Sequence, residues 1–280
     1  MLTQTLTKNI SGTFFLLALL TACGGGGGMN FTIEGNNWPW PWKTNANFFA
    51  SKTLTQEVMV TDHTGLNLNA INGEVHIIGQ PGAGSVTLTA EARVGAASFN
   101  EAQTSLGQLD VSLKDVNGEI SIQTVQPDYS LNRQYTVNYT LAIPTDLSVS
   151  INLVNGHIYV SDIDELVFVV LENGNVHLEG IAGAATVNVE NGDVDGSLYL
   201  QAQNEVVIST FNGSIDLSIP TSASAELFLL VENGTINWGN LDLINVQYTN
   251  QSLQGILGQG AGLIDLETVN GNIELMGIDF

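Results

Sequence analysis

Basic side chains are nearly missing from this chain of 280 residues, which has 6 Lys and Arg against 28 Asp and Glu and a formal net charge of -22. No Lys or Arg follows Arg133. Nucleic-acid binding depends on clustered Lys and Arg that displace counterions, so we expect no nucleic-acid partner. Ligands held mainly through phosphate or carboxylate groups lack their usual partners for the same reason. The acidic balance suits cations or basic partners instead.

Cysteine and the common catalytic motifs are also scarce. Cys23 is the only cysteine, so no disulfide can form within the chain. The Gly-x-Ser-x-Gly, P-loop, His-Glu-x-x-His and EF-hand patterns do not occur. Of the four histidines, His76 and His177 occupy the same outward position in their repeats. Several repeats separate the two in the sequence, so we do not expect them to share a metal ion. We therefore expect a protein that is not an enzyme and has no cofactor.

The first residues have the pattern of an export signal. Lys8 supplies a positive charge, and the run ISGTFFLLALL that follows is apolar but too short to cross a bilayer, which takes ~20 residues. The run ends in Leu20-Thr21-Ala22-Cys23, which resembles the lipobox of bacterial lipoproteins. The resemblance implies that residues 1–22 are a signal peptide and that the Cys23 thiol becomes lipidated. An ordinary signal peptide followed by a free thiol is the alternative.

The segment 23–50 links this anchor to the rest of the chain. Five glycines, residues 24–28, form a flexible tether. The residue after Cys23 is Gly24 and not Asp. By resemblance to Gram-negative lipoproteins, this implies transport to the outer membrane rather than retention in the inner membrane. Trp38-Pro39-Trp40-Pro41-Trp42 favours an extended backbone. The three Trp either form a sticky binding element or cover an open end of the following domain.

Eight Asn-Gly pairs repeat through residues 51–280. The shortest spacing is 18 residues, from Asn155 to Asn173 and again to Asn191, and others are 21 residues or about twice as long. Such a period indicates a repeat architecture with coils of about 20 residues. The turn residues are Asn72, Gly73, Asn117, Gly118, Asn155, Gly156, Asn173, Gly174, Asn191, Gly192, Asn212, Gly213, Asn233, Gly234, Asn270 and Gly271.

Apolar and polar residues alternate on both sides of each pair, which predicts a strand, a tight turn and a second strand with one buried face. Two residues after every Gly stands a Val or Ile, as at Val176, Val194 and Ile215. Two architectures fit this pattern. Asn-Gly favours a type I′ turn, so each unit could be an antiparallel hairpin. Alternatively, each unit is one coil of a parallel solenoid in which equivalent residues stack.

A family resemblance favours the solenoid. The stretch LNLNAINGEVHIIG from Leu66, the stretch LAIPTDLSV from Leu141 and Leu217-Ser218-Ile219-Pro220 resemble the putative-adhesin domains of unknown function in bacterial envelope proteins. This resemblance covers roughly residues 53–280 and implies a right-handed single-stranded β-helix-like solenoid. With the repeat pattern, it leads us to expect one all-β domain over residues 51–280. We expect roughly ten to twelve coils, with a loop or short helix projecting from the stack within residues 93–108.

Acidic residues give the one site-like feature. Glu172 and Glu190 precede successive Asn-Gly pairs, and neighbouring coils would bring them about 5 Å apart. Asp193 and Asp195 follow Glu190, and Asp216 matches Asp195 one coil later. The five residues together predict a weak Ca²⁺ site. A solvated acidic face that keeps the stack soluble is the alternative interpretation.

The expected function is that of a non-catalytic cell-envelope lipoprotein. Its solenoid surface would serve adhesion or bind a protein or glycan that the sequence does not identify. Two alternatives stay open: a glycan-cleaving β-helix enzyme, which needs a pair of carboxyl groups at a defined separation, and a purely structural envelope spacer.

Replacing Cys23 with Ser tests the anchor. Without a thiol to lipidate, the variant should appear in the soluble fraction, whereas the wild type and a Thr21→Ser control should stay with the membranes. Immunoblots of carbonate-washed membrane fractions measure this distribution. A Cys23→Ser protein that survives the wash in the membrane pellet would contradict the lipoprotein assignment.

Overall fold

The computed structural model describes residues 46–127, 132–201 and 203–279, all within the compact unit Pro41–Phe280. The predicted signal peptide, Cys23, the glycine tether and the Trp-Pro segment lie outside the described residues. In the described part the chain is all-β, with one helix, α1 (Phe99–Leu106). That part has no helix long and apolar enough to cross a membrane.

The strands, in chain order, are β1 (Phe48–Met59), β2 (Gly65–Asn72), β3 (Val75–Gln80), β4 (Ser85–Ala96), β5 (Asp110–Val116), β6 (Glu119–Val125), β7 (Gln134–Pro144), β8 (Ser148–Asn155), β9 (Ile158–Ser161), β10 (Val167–Asn173), β11 (Val176–Ile181), β12 (Ala185–Asn191), β13 (Val194–Leu198), β14 (Glu205–Asn212), β15 (Ile215–Pro220), β16 (Ala225–Asn233), β17 (Ile236–Asn237), β18 (Leu243–Tyr248), β19 (Ser252–Leu257), β20 (Gly262–Asn270) and β21 (Ile273–Ile278).

These strands form two sheets, and a typical repeat gives one strand to each. Sheet A has the order β1-β4-β7-β3-β9-β11-β13-β15-β21-β17, and sheet B has the order β18-β19-β16-β20-β14-β12-β10-β8-β2-β6-β5. Alternate residues of each strand point between the sheets: in β10, Val167, Val169 and Leu171 are buried. The single hydrophobic core therefore lies between sheet A and sheet B.

Equivalent residues stack in parallel, as expected for a solenoid. Val176 lies opposite Val194, which lies opposite Ile215, and all three are fully buried. A series of independent hairpins would have paired each strand with the next one along the chain, and the central strands do not do so. The right-handed sense of the coil stays a prediction.

The order of the coils differs from their order in the sequence. The coil β2–β3 lies between the strands β6 and β7 on one side and the coil β8–β9 on the other. The last coil, β20–β21, lies between β14–β15 and β16–β17. The described strands make eight stacked levels rather than ten to twelve. The expected number was too high because β1, β4, β5, β18 and β19 run antiparallel at the two ends instead of adding parallel coils.

Asn117-Gly118 differs from the other Asn-Gly pairs. It joins β5 to β6, which are antiparallel neighbours in sheet B, whereas the other seven pairs lead from sheet B into sheet A. Asn117 and Gly118 have φ of 56 and 83, both left-handed, as a type I′ hairpin turn requires. Both architectures considered for the repeat thus occur in this chain, the hairpin once and the coil seven times.

The segment 93–108 covers one end of the core and does not project from the stack as expected. Arg93 is part of β4, and α1 packs on β1 and β4 with Ala102, Ser105 and Leu106 buried. Nearby, Gln56 of β1 bridges the sheets at this end. Its Nε2 donates to the Val111 carbonyl at 2.7 Å and its Oε1 accepts from the Leu113 N–H at 2.8 Å. The side-chain amide thus makes the two backbone hydrogen bonds that a strand beside β5 would make.

The seven stacked corners share an asparagine ladder. Six of the seven side-chain amides donate to the Oδ1 of the asparagine on the adjacent level, and that of Asn72 donates to the Tyr135 carbonyl at 3.3 Å. These bonds satisfy groups that the corner leaves partly buried. The bonds, from one end to the other, are Asn155 to Asn72 at 2.9 Å, Asn173 to Asn155 at 3.0 Å, Asn191 to Asn173 at 3.1 Å, Asn212 to Asn191 at 2.8 Å, Asn270 to Asn212 at 2.8 Å and Asn233 to Asn270 at 3.0 Å.

Close contact requires glycine at all seven corners, and at four of them, Gly73, Gly156, Gly174 and Gly192, the backbone φ is also positive. A β-carbon on Gly174, whose φ is +141, would lie 1.6 Å from the Gly156 carbonyl oxygen. We expect Gly174→Ala to lower the free energy of unfolding by more than about 3 kcal/mol, because neighbouring coils must separate to admit the methyl group. Gly82 also has a positive φ, +71, but its β-carbon would meet nothing within 4 Å.

Gly82→Ala is therefore the matched control, with an expected loss of about 1–2 kcal/mol from the left-handed backbone alone. Urea unfolding of both variants measures the difference. Equal losses would show that conformation, and not the contact between coils, explains the corner glycines.

Candidate functional site

A row of polar and aromatic side chains crosses the outer surface of sheet A. The residues that occupy one register position on β3, β9, β11 and β13 are His76, Tyr159, His177 and Asp195, and we call these four the sheet A row. They face outward because their neighbours along each strand, such as Val75, are buried. Asp216 of β15 continues the row beyond Asp195.

The members of the row contact one another. The rings of His76 and Tyr159 are stacked, with centroids 4.4 Å apart and planes 14° from parallel. Tyr159 and His177 lie 6.2 Å apart at 54°. His177 Nδ1 is 2.5 Å from an Asp195 carboxylate oxygen. The expectation that His76 and His177 lie several coils apart was wrong, because β3 and β11 flank the same strand, β9.

A shallow cleft of about 420 Å³ lies along this row. It is lined by Tyr159, His177 and Asp195 from the strands and by His157 and Asn175 from the corners that precede them. His157 Nδ1 accepts a hydrogen bond from the Asn175 N–H at 3.2 Å, which fixes the position of the imidazole ring. The cleft thus combines an aromatic ring, a carboxylate, an amide and two imidazoles on a rigid sheet.

A second cleft, of about 680 Å³, lies on the same sheet near its β1 edge. Arg93 covers the ring of Phe49, with the guanidinium carbon 4.0 Å from the ring centroid, and Ser51, Thr136 and Asn138 add polar groups. Two basic residues, Arg93 and Lys52, and one acidic residue, Glu91, line this cleft, whereas the first cleft is lined by Asp195 and by no Lys or Arg.

The five acidic residues predicted to bind Ca²⁺ do not form one site. Glu172 and Glu190 belong to strands of sheet B, whereas Asp195 and Asp216 belong to sheet A. Asp193 lies at the corner between the sheets, where its carboxylate accepts the Ser214 N–H at 2.8 Å. The residues are separated because each Asn-Gly corner turns the chain from one sheet to the other. Nowhere in residues 46–127, 132–201 and 203–279 do three or more His, Cys, Asp or Glu side chains form a group able to hold a metal ion.

Glu172 keeps one of the expected interactions. Burial raises the pKa of its carboxyl group, and the like charge of Glu190 on the neighbouring strand raises it further. Asp265 of β20 also has a raised pKa, caused by burial. Three strand spacings, about 14 Å, separate β10 from β20, and Asp265 is in register with Phe168 rather than with Glu172, so the two carboxyl groups are more than about 14 Å apart. That exceeds the ~5–9.5 Å between the two carboxyl groups of a glycosidase.

The raised pKa of Glu172 predicts a pH-dependent stability. The folded protein binds this proton more tightly than the unfolded chain does, so the stabilisation is complete below the ordinary value of 4.5 and is lost as pH rises through the folded-state pKa. Glu172→Gln should therefore be more stable than the wild type at neutral pH, by roughly 0.2–1 kcal/mol. The advantage should disappear in acid.

Glu226→Gln is the control for this experiment. It removes the same charge, but the residues opposite Glu226 are Leu263 and Ile256 rather than another carboxylate. Denaturant unfolding across the pH range gives the comparison. A Glu172→Gln protein without the neutral-pH advantage, or a control with the same gain, would contradict the proposed destabilisation of the Glu172 carboxylate by burial and by Glu190.

The sequence of this chain matches one known protein family. The sequence model of the Toastrack DUF4097 family matches residues 27–276. No protein with curated annotation is significantly similar to the chain.

Several solved structures are similar at low identity. One from Clostridium sporogenes, described as a putative cell adhesion protein, is 14% identical over 82% of this chain and 100% of that one, with a TM-score of 0.46. One from Bacteroides fragilis, described as a putative adhesin, is 11% identical over 81% and 97%, with a TM-score of 0.31. A third, from Parabacteroides distasonis and also described as a putative adhesin, is 8% identical over 82% and 98%, with a TM-score of 0.24. Nothing about function follows from similarities at this level.

Proposed function

The chain belongs to the Toastrack DUF4097 family, and we propose that it is a non-catalytic cell-envelope lipoprotein that presents its solenoid surface to a protein or glycan partner. The lipid would be carried by Cys23 and would hold the protein at the outer membrane. The sequence pattern around Cys23 supports this part of the proposal.

The observation that carries the proposal is the cleft along the sheet A row. Its lining side chains project from stacked parallel strands, so the ligand-facing groups are preorganised and lose little freedom on binding. Tyr159 supplies an aromatic ring, and Asp195 and Asn175 supply hydrogen-bonding groups around it. Such a combination of one apolar surface with a few directed polar groups is typical of ligand sites.

Charge narrows the class of partner. Asp195 lines the cleft, Asp216 lies next to it in register, and Glu179 lies 3.9 Å from the His177 ring. An anionic group at this surface would meet the carboxylates of Asp195, Asp216 and Glu179 and, with no Lys or Arg after Arg133, no basic side chain from this part of the chain to offset their repulsion. The ligand portion that enters the cleft is therefore neutral or cationic.

The non-catalytic part of the proposal is supported by the positions of Glu172 and Asp265, the two carboxyl groups among the described residues with raised pKa values. Neither of them lines either of the two clefts of sheet A. A purely structural spacer would need no outward aromatic residue at a cleft, and Tyr159 therefore favours the binding role.

Substituting one aromatic residue on each sheet tests the proposal. Tyr159 and Phe228 are both 37% exposed, the first on sheet A in the cleft and the second on sheet B. The lipid-free Cys23→Ser protein would be used to capture partners from envelope fractions and to probe immobilised neutral and cationic glycans. Tyr159→Ala should weaken the binding so detected by about tenfold or more, as for an aromatic hot-spot residue.

Phe228→Ala should bind as the parent protein does. Binding that is equally sensitive to both substitutions, or to neither, would contradict a site on sheet A. Circular dichroism of both variants establishes that the fold is unchanged.

A further inference from the structure

We propose that Asn117 is a site of spontaneous deamidation, and that the asparagine ladder protects the stacked Asn-Gly pairs from the same reaction. The eight pairs have the same two residues but two different surroundings. This contrast makes the chain its own control.

The reaction needs two movable groups. The backbone nitrogen of the glycine loses its proton to solvent base and attacks the asparagine Cγ. A nitrogen–carbon bond forms, the Cγ–Nδ2 bond breaks, and the departing NH2 group takes a proton from solvent and leaves as ammonia, which gives a succinimide ring. Water then opens the ring at either carbonyl, and the product is Asp or isoaspartate. Glycine favours the attack because it has no side chain to shield its nitrogen.

In the stack both groups are held. The Gly174 N–H donates to the Asn191 carbonyl at 2.9 Å. The Asn173 side chain donates to Asn155 at 3.0 Å and accepts from Asn191 at 3.1 Å. To react, this residue must give up one backbone and two side-chain hydrogen bonds and then turn its Cγ toward its own chain. The same bonds recur at the other inner levels of the ladder.

The hairpin turn lacks these restraints. Asn117 is exposed, and within the described residues its side chain makes no hydrogen bond. The Gly118 N–H meets only the Asp115 carboxylate, at a long distance of 3.4 Å. Both Asn117 Cγ and Gly118 N are therefore free to approach each other.

The last level of the ladder is intermediate. Asn233 donates to Asn270 at 3.0 Å, but no further asparagine donates to it in turn. Among the described residues no hydrogen bond is made by the Gly234 N–H, in contrast to Gly174. Asn72, at the other end, is held like the inner residues, because its amide donates to the Tyr135 carbonyl and the Gly73 N–H donates to the Asn155 carbonyl. The expected order of reaction is thus Asn117 first, Asn233 second and the other six ladder asparagines last.

The experiment follows all eight pairs in one sample. The purified full-length protein is kept in mildly alkaline buffer and sampled over time, then digested with a Glu-specific protease, because trypsin has no site after Arg133. Mass spectrometry measures amide-to-acid conversion at each asparagine. Asn117 should convert at least about tenfold faster than the inner ladder residues. A factor of about ten is what the loss of roughly one hydrogen bond, counted at its net contribution to stability, would produce.

A parallel sample in urea provides the reference. Unfolding removes the ladder, so all eight pairs should then convert at similar rates. Folded ladder residues that convert as fast as Asn117, or an Asn117 that is no faster than they are, would overturn the proposal. If the eight deamidation rates still differ in urea, the cause is the local sequence and not the ladder, and that result would also overturn the proposal.

Discussion

The stack depends on one contact, in which six of the seven corner glycines lie against the carbonyl oxygen of the corner glycine one level away, while the seventh, Gly73, lies against that of Val137. The distance leaves no room for a β-carbon: at Gly156 one would lie 1.7 Å from the Gly73 oxygen. The asparagine beside each glycine then reaches the asparagine of the next level at hydrogen-bond distance. Each such bond contributes about 1 kcal/mol net, and each is possible only in the single register that places both asparagines at the same level.

This register determines both sheets at once. When two corners are aligned, the strand before the corner aligns in sheet B and the strand after it aligns in sheet A. Val169 then lies opposite Val187, and Val176 opposite Val194. A slip by one residue would turn these buried side chains outward on both sheets. The corner also explains how β20–β21 can lie between two coils that precede it in the sequence, because the Asn270 corner is compatible with a neighbour on either side.

Much of this could be predicted from the sequence. The alternation around each Asn-Gly pair identified the inward residues, and the recurrence of spacings near 20 residues indicated stacking, because both signals are local or repetitive. The position of β20–β21 in the stack could not be predicted, since Asn212, Asn233 and Asn270 are equivalent in sequence and nothing local says which two are adjacent. The hairpin at Asn117 could not be distinguished for the same reason: the turn residues are identical, and only the pairing partner of β5 differs.

The candidate site shows the same limit. Outward positions for His76 and His177 followed from the alternation, but their closeness depends on β3 lying beside β9, which is a matter of coil order. The predicted grouping of five acids was wrong because it treated residues before and after a corner as neighbours on one face. Tyr159 was not singled out, although it occupies the same position after Asn155-Gly156 as His177 does after Asn173-Gly174.

The order of the coils is the most direct test of the account. Val207 of β14 lies opposite Asp265 of β20, which lies opposite Phe228 of β16. Adjacent strands are about 5 Å apart, within reach of a disulfide, whereas strands two places apart are about 10 Å apart and out of reach. In the Cys23→Ser background, mild oxidation should therefore crosslink cysteines at 207 and 265 but not cysteines at 207 and 228. Crosslinking of 207 with 228 in place of 265 would mean that the coils stack in chain order, and would contradict the arrangement described.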